Sequence, residues 1–198
     1  MRLVRKVTMG IRKHLDFYET PKEFTRLLLS YIETDIYGYI LEPCNGEGAI
    51  SHELRTVGFK VKTNDIDKDR KSNYHYDATN NHLWKLSPSW VVSNPPFSSA
   101  HRIIPRAYNA AMHGVAFLLR LTYLEPCQNR ASFLVKYPPS IVVLPRYSFT
   151  KDGSTDSVTC AWFIWNKEYI RRFRGTTYRP EVNVVTKEMV KEYTCDEC

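Results

Sequence analysis

Residues 37–48 read Tyr-Gly-Tyr-Ile-Leu-Glu-Pro-Cys-Asn-Gly-Glu-Gly, and this stretch decides the fold. The apolar run from Tyr37 to Leu41 predicts a strand, which a polar turn with glycines at positions 46 and 48 follows. Ala49 to Val57 then has the pattern of a helix, with Gly58 as its C-cap. A strand, a glycine-bearing turn and a helix form the opening unit of an α/β fold with a parallel sheet.

Strand-like and helical segments alternate along the rest of the chain. Further strands are predicted at Phe59–Thr63, His75–Ala78, Trp90–Ser93, Val115–Leu119, Ile141–Leu144 and Ser157–Trp165. Helices are predicted from Pro21 to Ile32, with Thr20 as N-cap and Glu23 completing a capping box, at His82–Leu86, and at His101–His113. We expect a mostly parallel sheet with helices on both faces. The last two strands have no helix between them and should pair antiparallel.

Composition indicates one folded domain without a membrane span. The 198 residues are 43% hydrophobic and 25% charged, which suffices for one core and argues against disorder. We divide the chain into a basic N-terminal arm (1–15), a main domain (16–165) and a C-terminal tail (166–198). The first residues lack the apolar run of a signal peptide, so we expect a cytoplasmic protein.

Charge and cysteine content indicate which kinds of molecule the protein binds and in which compartment it works. The formal net charge is +7, and basic residues cluster in the N-terminal arm and again at Arg171, Arg172 and Arg174. This balance favours a polyanionic partner, nucleic acid first. Five cysteines form no closed disulfide set, and the Cys195/Cys198 pair has no second ligand pair beside it. We therefore expect a reducing compartment and no bound metal.

The turn after the first predicted strand has the features of an adenosine-binding site. Gly46 and Gly48 let the backbone approach a ligand closely, and the helix that follows presents its N-terminus. Asp65 follows the second strand about twenty residues later, where it can accept both ribose hydroxyls. Ser51 stands where a dinucleotide-binding turn has its third glycine, so a pyrophosphate ligand is disfavoured.

The segment Asn94-Pro95-Pro96-Phe97 carries the most specific chemistry in the sequence. It directly follows a short apolar strand, and its two prolines stiffen the chain and remove backbone donors. The Asn94 side-chain oxygen and the Pro95 carbonyl remain as rigid acceptors, and Phe97 adds a flat apolar face. Two acceptors and a ring can hold a planar amino group and return electron density to its nitrogen, which favours attack on an electrophile.

Together these segments resemble the class I S-adenosylmethionine-dependent methyltransferases of the amino-group-methylating branch. They are most similar to small phage- or prophage-type DNA adenine-N6 methyltransferases, and the resemblance covers Asp16 to Trp165. It implies a Rossmann-like seven-stranded sheet with an antiparallel last strand in a single domain. It also implies S-adenosylmethionine as cofactor.

The resemblance assigns roles to individual residues. It places the cofactor against Tyr18, Thr20, Pro21, Glu42, Pro43, Asn45, Gly46, Gly48, Asp65, Ile66, Asp77, Ala78 and Asn94. It makes Asn94, Pro95, Pro96 and Phe97 the catalytic segment, with Phe97 and Phe149 on either side of a flipped target base. Core packing is an alternative role for Phe149.

The chain departs from DNA methyltransferases of this type because it shows no target-recognition domain. Residues 97–115 fit one helix, and the tail of 33 residues is short for that task. The recognised sequence is then short or absent, or a partner protein supplies the specificity, or the substrate is not duplex DNA. An RNA base or a protein glutamine amide would present the same planar amino group, and a non-catalytic nucleic-acid-binding or partner subunit is a further alternative.

Overall fold

The computed structural model describes residues 19–32, 36–146, 158–172 and 179–194. The strands are β1 (Tyr39–Glu42), β2 (Lys60–Thr63), β3 (Trp90–Ser93), β4 (Gly114–Arg120), β5 (Ser140–Val143), β6 (Cys160–Asn166) and β7 (Val182–Val184). The α-helices are α1 (Lys22–Ile32), α2 (Ala49–Thr56), α3 (Ala100–Ala110), α4 (Ala131–Lys136), α5 (Lys167–Arg172) and α6 (Lys187–Lys191).

One seven-stranded sheet with the order β2-β1-β3-β4-β6-β5-β7 organises the molecule. Every neighbouring pair is parallel except the two that involve β6, which runs antiparallel to β4 and to β5. The predicted α/β sheet with an antiparallel last strand in the main domain is therefore confirmed. The tail, for which the sequence left one more helix or small strands open, supplies β7, which pairs with β5 at the sheet edge.

Both faces of the sheet are covered, as predicted. Consecutive strand residues point to opposite faces, so Ile40 and Leu118 pack with the apolar residues of α1 and α2 on one side. Leu41 and Phe117 point to the other side, where they share a core with Ile103 and its neighbours on α3. This double burial explains why the central strands read as continuous apolar runs.

The predicted third strand at His75–Ala78 is wrong. In its place, Asn64 and Tyr74 form an isolated parallel bridge. The Asn64 amide donates to the carbonyls of Pro43 and Tyr76 at 2.9 and 3.0 Å, and it accepts from the Tyr76 N–H at 2.8 Å. One buried side chain thus makes the hydrogen bonds that a strand ladder would have provided.

Other segments agree with prediction apart from their ends. The helix α1 begins at Lys22, so Thr20 lies before it and is not the N-cap that the sequence predicted. Residues 121–136, which had no predicted element, contain a 3-10 turn at Leu121–Leu124 and α4. No helix within the described residues is long and apolar enough to cross a membrane.

Candidate functional site

A cavity of about 670 Å³ lies at the carboxyl ends of β1, β2 and β3. The residues from the sequence-predicted set that line it are Thr20, Glu42, Pro43, Asn45, Gly46, Asp65, Ile66, Asp77, Ala78, Asn94 and Pro96. Four others, Pro21, Gly48, Pro95 and Phe97, lie beside these residues in the chain but not on the cavity wall. Tyr18 and Phe149 lie outside the described residues.

The loops after β1 and β2 are joined through Asp65. One oxygen of its carboxylate accepts a hydrogen bond from the Gly46 N–H at 2.7 Å, and the other accepts from the Asp67 N–H at 2.9 Å. Gly46 has a φ of 53°, in the left-handed region that favours glycine. The acid and the glycine turn, 19 residues apart, thus form one wall of the cavity.

Gly48 serves the turn itself. Its φ is 86°, and a Cβ there would lie 3.3 Å from the Ser51 hydroxyl, so another residue would be strained and crowded. Ser51, at the position of the missing third glycine, donates to the Asn45 side chain at 2.7 Å. Asn45 in turn donates to the carbonyl of Lys71 at 3.1 Å. The serine therefore braces the turn and leaves Asn45 facing the cavity.

Glu42, the last residue of β1, is a buried carboxyl on the cavity wall with 2% of its surface exposed. Its Oε2 atom has no hydrogen-bond partner among the described residues. Burial raises the pKa of the Glu42 carboxyl well above its usual value, against the opposing effect of the bond with Ser51. A buried acceptor without a partner at a cavity wall is suited to a cationic or hydrogen-bonding ligand.

Asp77 and Ala78 also line the cavity. The Asp77 carboxylate accepts from the Thr79 hydroxyl at 2.7 Å and from the Thr79 N–H at 2.8 Å. These bonds lower the pKa of Asp77, so it is ionised at neutral pH. The Trp84 indole donates to the Ala78 carbonyl at 2.9 Å and fixes the backbone behind the acid.

Sequence reasoning missed part of the lining, namely Glu19, Cys44, Glu47, Ala49, Ile50, Asp67, Arg70, Tyr76, Thr79, Ser98, Ser99 and Ile103. Many of these residues are direct neighbours in the chain of predicted residues. That adjacency could have identified them from the sequence. Arg70 has no such neighbour. It pairs with Glu47 and with Asp67 across the mouth of the cavity, so it also links the loops after β1 and β2.

Asn94 follows β3 and is held by a residue 74 positions earlier in the chain. Its Nδ2 donates to the hydroxyl of Thr20 at 3.2 Å. Thr20 is itself buried, with 4% of its surface exposed. This contact joins the segment before α1 to the segment after β3. Thr20, which was predicted to cap the helix, therefore lies at the cavity.

Pro95 is buried, whereas Phe97 is half-buried and packs against the core that contains Phe117. The guanidinium of Arg120, at the end of β4, covers the Phe97 ring at 4.6 Å from its centre. Such a cation–π contact contributes about 0.5–2 kcal/mol, depending on how well water is excluded. The aromatic ring after the prolines thus lies at the carboxyl edge of the sheet with a cation on its face.

Comparisons with known proteins agree on the fold. No protein-family model matches the sequence, and no curated protein does. Among solved structures, a Listeria monocytogenes protein assigned to the class I S-adenosylmethionine-dependent methyltransferases has a TM-score of 0.58 at 17% identity. That match covers 89% of this chain and 67% of the other.

Two further structures resemble this chain. A Pyrococcus horikoshii protein assigned as an RNA methyltransferase has a TM-score of 0.56 at 15% identity, over 77% of this chain and 88% of that one. The M protein of the type I restriction enzyme EcoKI has a TM-score of 0.55 at 11% identity, over 74% of this chain and 43% of that one. The protein therefore has the fold of the class I S-adenosylmethionine-dependent methyltransferases.

Proposed function

We propose that this protein transfers a methyl group from S-adenosylmethionine to the N6 amino group of adenine in DNA. The observation that carries the proposal is that one cavity is lined by the carboxylates Asp65 and Asp77 and also by Asn94. Transfer of a methyl group from a cofactor to an amino group requires that both molecules be held in one space. Carboxylates that can bind a nucleoside and a rigid amide that can accept from an amino group meet this requirement.

The residues of the cavity fit the cofactor. S-adenosylmethionine supplies an electrophilic methyl group on a sulfonium, and it carries cationic groups at its methionine end. The unpartnered Oε2 of Glu42 offers an acceptor for that end. Asp65 offers carboxylate oxygens for the ribose hydroxyls, and Asp77 with Ala78 offers a wall for the adenine. Ionised Asp77 can accept a hydrogen bond from an amino group.

Asn94 and Pro95 are proposed to hold the target amino group. The Asn94 amide donates from its NH₂ group to the Thr20 hydroxyl, and we assign its carbonyl oxygen the role of an acceptor for the substrate amino group. The Pro95 carbonyl is the second acceptor, and Pro96 keeps it rigid. Accepting both hydrogens of the amino group concentrates electron density on its nitrogen, and fixed acceptors need no reorganisation as charge develops.

Phe97 is proposed to stack on the flipped base, with Phe149 opposite. Stacking on an aromatic side chain is worth about 1–3 kcal/mol per base, comparable to the cost of unstacking it from a strand. Tyr18 and Pro21 are proposed to close over the methionine end of the cofactor, since Thr20 between them lines the cavity.

DNA as substrate is supported by charge and by one structural neighbour. The net charge of +7 favours a polyanion, and the EcoKI neighbour is the M protein of a restriction enzyme. We propose that the arm (1–15) and the basic cluster Arg171–Arg174 contact phosphates around the main domain (16–165), in a cytoplasmic protein without metal. A partner subunit that supplies specificity is part of this proposal.

An RNA base is the second candidate substrate. The Pyrococcus horikoshii neighbour, assigned as an RNA methyltransferase, aligns over 88% of its own length, without a large additional domain outside the match. Single-stranded or structured RNA presents unstacked bases and needs no separate duplex-reading domain.

The test is mass spectrometry of nucleosides from cells that express the protein, with DNA and RNA digested separately. We expect N6-methyladenine to rise in DNA with the wild type and with Asn109→Ala, a matched change at an exposed residue of α3. We expect no rise with Asn94→Ala. A modified base in RNA alone would favour the second candidate, and no modified base in either pool would contradict both.

A further inference from the structure

Arg120 carries a positive charge at the edge of the proposed substrate site. It is the last residue of β4, and its guanidinium carbon lies 4.6 Å from the centre of the Phe97 ring. Strands β3 and β4 are parallel, so the end of β4 lies on the same edge of the sheet as Asn94. The ring that is proposed to stack on the target base therefore already holds a planar cation.

The charge of Arg120 is not neutralised by a carboxylate among the described residues. Other arginines have acidic partners: Arg26 with Glu53, Arg70 with Glu47, and Arg130 with Glu125. Arg120 is half-buried, and its guanidinium lies on the Phe97 ring. A partly desolvated cation without a carboxylate partner in the described part of the chain is suited to an anion from outside the protein.

We propose that Arg120 binds a phosphate beside the target nucleotide and that its stack on Phe97 keeps the ring in place until a base enters. This inference rests on the proposed function. It narrows the substrate to a base in a nucleic-acid strand and argues against a glutamine amide in a protein. A base and a guanidinium are both planar groups that stack on an aromatic ring, so a base that takes the ring releases the guanidinium. Its planar fork can then bind phosphate oxygens in a bidentate manner.

The experiment measures binding of a random-sequence duplex of about 20 base pairs at salt concentrations from about 50 to 200 mM. Arg120→Gln should weaken binding about tenfold at the lowest salt, and it should reduce the slope of log affinity against log salt by about 0.9. A residue that only supports the fold would leave this slope unchanged, because the slope counts the phosphates that the protein neutralises.

Arg55→Gln is the matched control. Arg55 is exposed on α2 and donates to the Val61 carbonyl at 3.2 Å, so its loss should leave the slope and the activity unchanged. Binding of S-adenosylmethionine should be the same in both variants and in the wild type. A slope for Arg120→Gln equal to that of the wild type overturns the inference.

A second measurement uses the wild-type protein and so does not depend on a variant that folds. Phenylglyoxal modifies accessible arginines, and peptide mass spectrometry reports each site. The duplex should protect Arg120 and leave Arg55 reactive; equal modification of Arg120 with and without duplex overturns the inference. Wild-type protein that shows no salt-dependent binding to DNA or RNA would instead count against the proposed function itself.

Discussion

The two sides of the cavity are built differently. The side that we propose for the cofactor, from Glu42 to Asp77, is called the cofactor side and is held by hydrogen bonds within and between adjacent loops: Gly46 to Asp65, Ser51 to Asn45, Thr79 to Asp77. The side that we propose for the target base is called the substrate side, and it depends on long-range contacts, namely Asn94 with Thr20 and Phe97 with Arg120.

This difference has a physical consequence. Local networks preorganise a site before any ligand arrives, and here the buried Oε2 of Glu42 is left without a hydrogen-bond partner among the described residues. Long-range contacts between a helix entry, a strand end and a half-buried arginine are individually weak, about 1 kcal/mol each, and can exchange partners. We therefore expect the cofactor side to behave as a fixed template and the substrate side to rearrange when a base enters.

The largest expected effect on cofactor binding comes from a change on the cofactor side. Asp65→Ala should weaken S-adenosylmethionine binding about 100-fold, because two charged hydrogen bonds to ribose are lost. Isothermal titration calorimetry measures the affinity directly. Asp65→Asn keeps the shape and should lose about tenfold.

Asp69→Asn is the matched control for that change, since Asp69 is an exposed acid off the cavity wall. It should bind the cofactor as the wild type does. Unchanged affinity in Asp65→Ala, with an intact thermal transition, would refute the assignment of the cofactor side.

The next effect concerns the contact between Thr20 and Asn94. Thr20→Val keeps the shape of the side chain and removes the oxygen that accepts from Asn94. We expect kcat to fall about fivefold to tenfold, because one hydrogen bond that orients the amide is lost. Single-turnover methyl transfer measures it.

Thr20→Ser retains the hydroxyl and should stay close to the wild type. A fall in cofactor affinity in Thr20→Val, with the transfer rate unchanged, would place Thr20 on the cofactor side alone.

The smallest effect concerns stability and pH. The pKa of Glu42 is raised in the folded protein above its ordinary value of 4.5, so the folded state holds the proton more tightly than the unfolded state. This contribution to stability is fully present below the unfolded pKa and is lost as pH rises through the folded pKa. Glu42→Gln removes this dependence.

The melting temperature of Glu42→Gln, relative to that of the wild type, should therefore increase by about a few degrees as the pH rises from about 5 to about 8. Differential scanning calorimetry without cofactor is the measurement. A difference that stays constant with pH would show that Glu42 is not responsible.

Many residues of the cavity wall could be predicted from the sequence because they belong to strand–loop units. Each acid or glycine follows a recognisable strand, and parallel strands bring their carboxyl ends to one edge. The central strand at Trp90–Ser93 was predicted with its observed bounds.

The same reasoning failed where a distant side chain decides the structure. The predicted third strand was wrong because the buried Asn64 amide makes the hydrogen bonds that a neighbouring strand would have made. Thr20 was predicted to be a helix cap, although its hydroxyl accepts a hydrogen bond from Asn94. Arg120 was not singled out, since nothing near it in sequence indicates Phe97. The spacing of residues in the sequence shows which side chains share a loop. It does not show which side chains from distant parts of the chain contact that loop.

The measurement that tests the account most directly is cofactor binding by the Asn94→Ala variant, compared with its methyl-transfer rate. The account predicts an affinity for S-adenosylmethionine within about twofold of the wild type, together with a transfer rate lowered about 1,000-fold. Asn94 would then act on the target amino group, apart from the template that holds the cofactor. Loss of cofactor binding in Asn94→Ala to the extent seen in Asp65→Ala would contradict the division of the cavity into two sides.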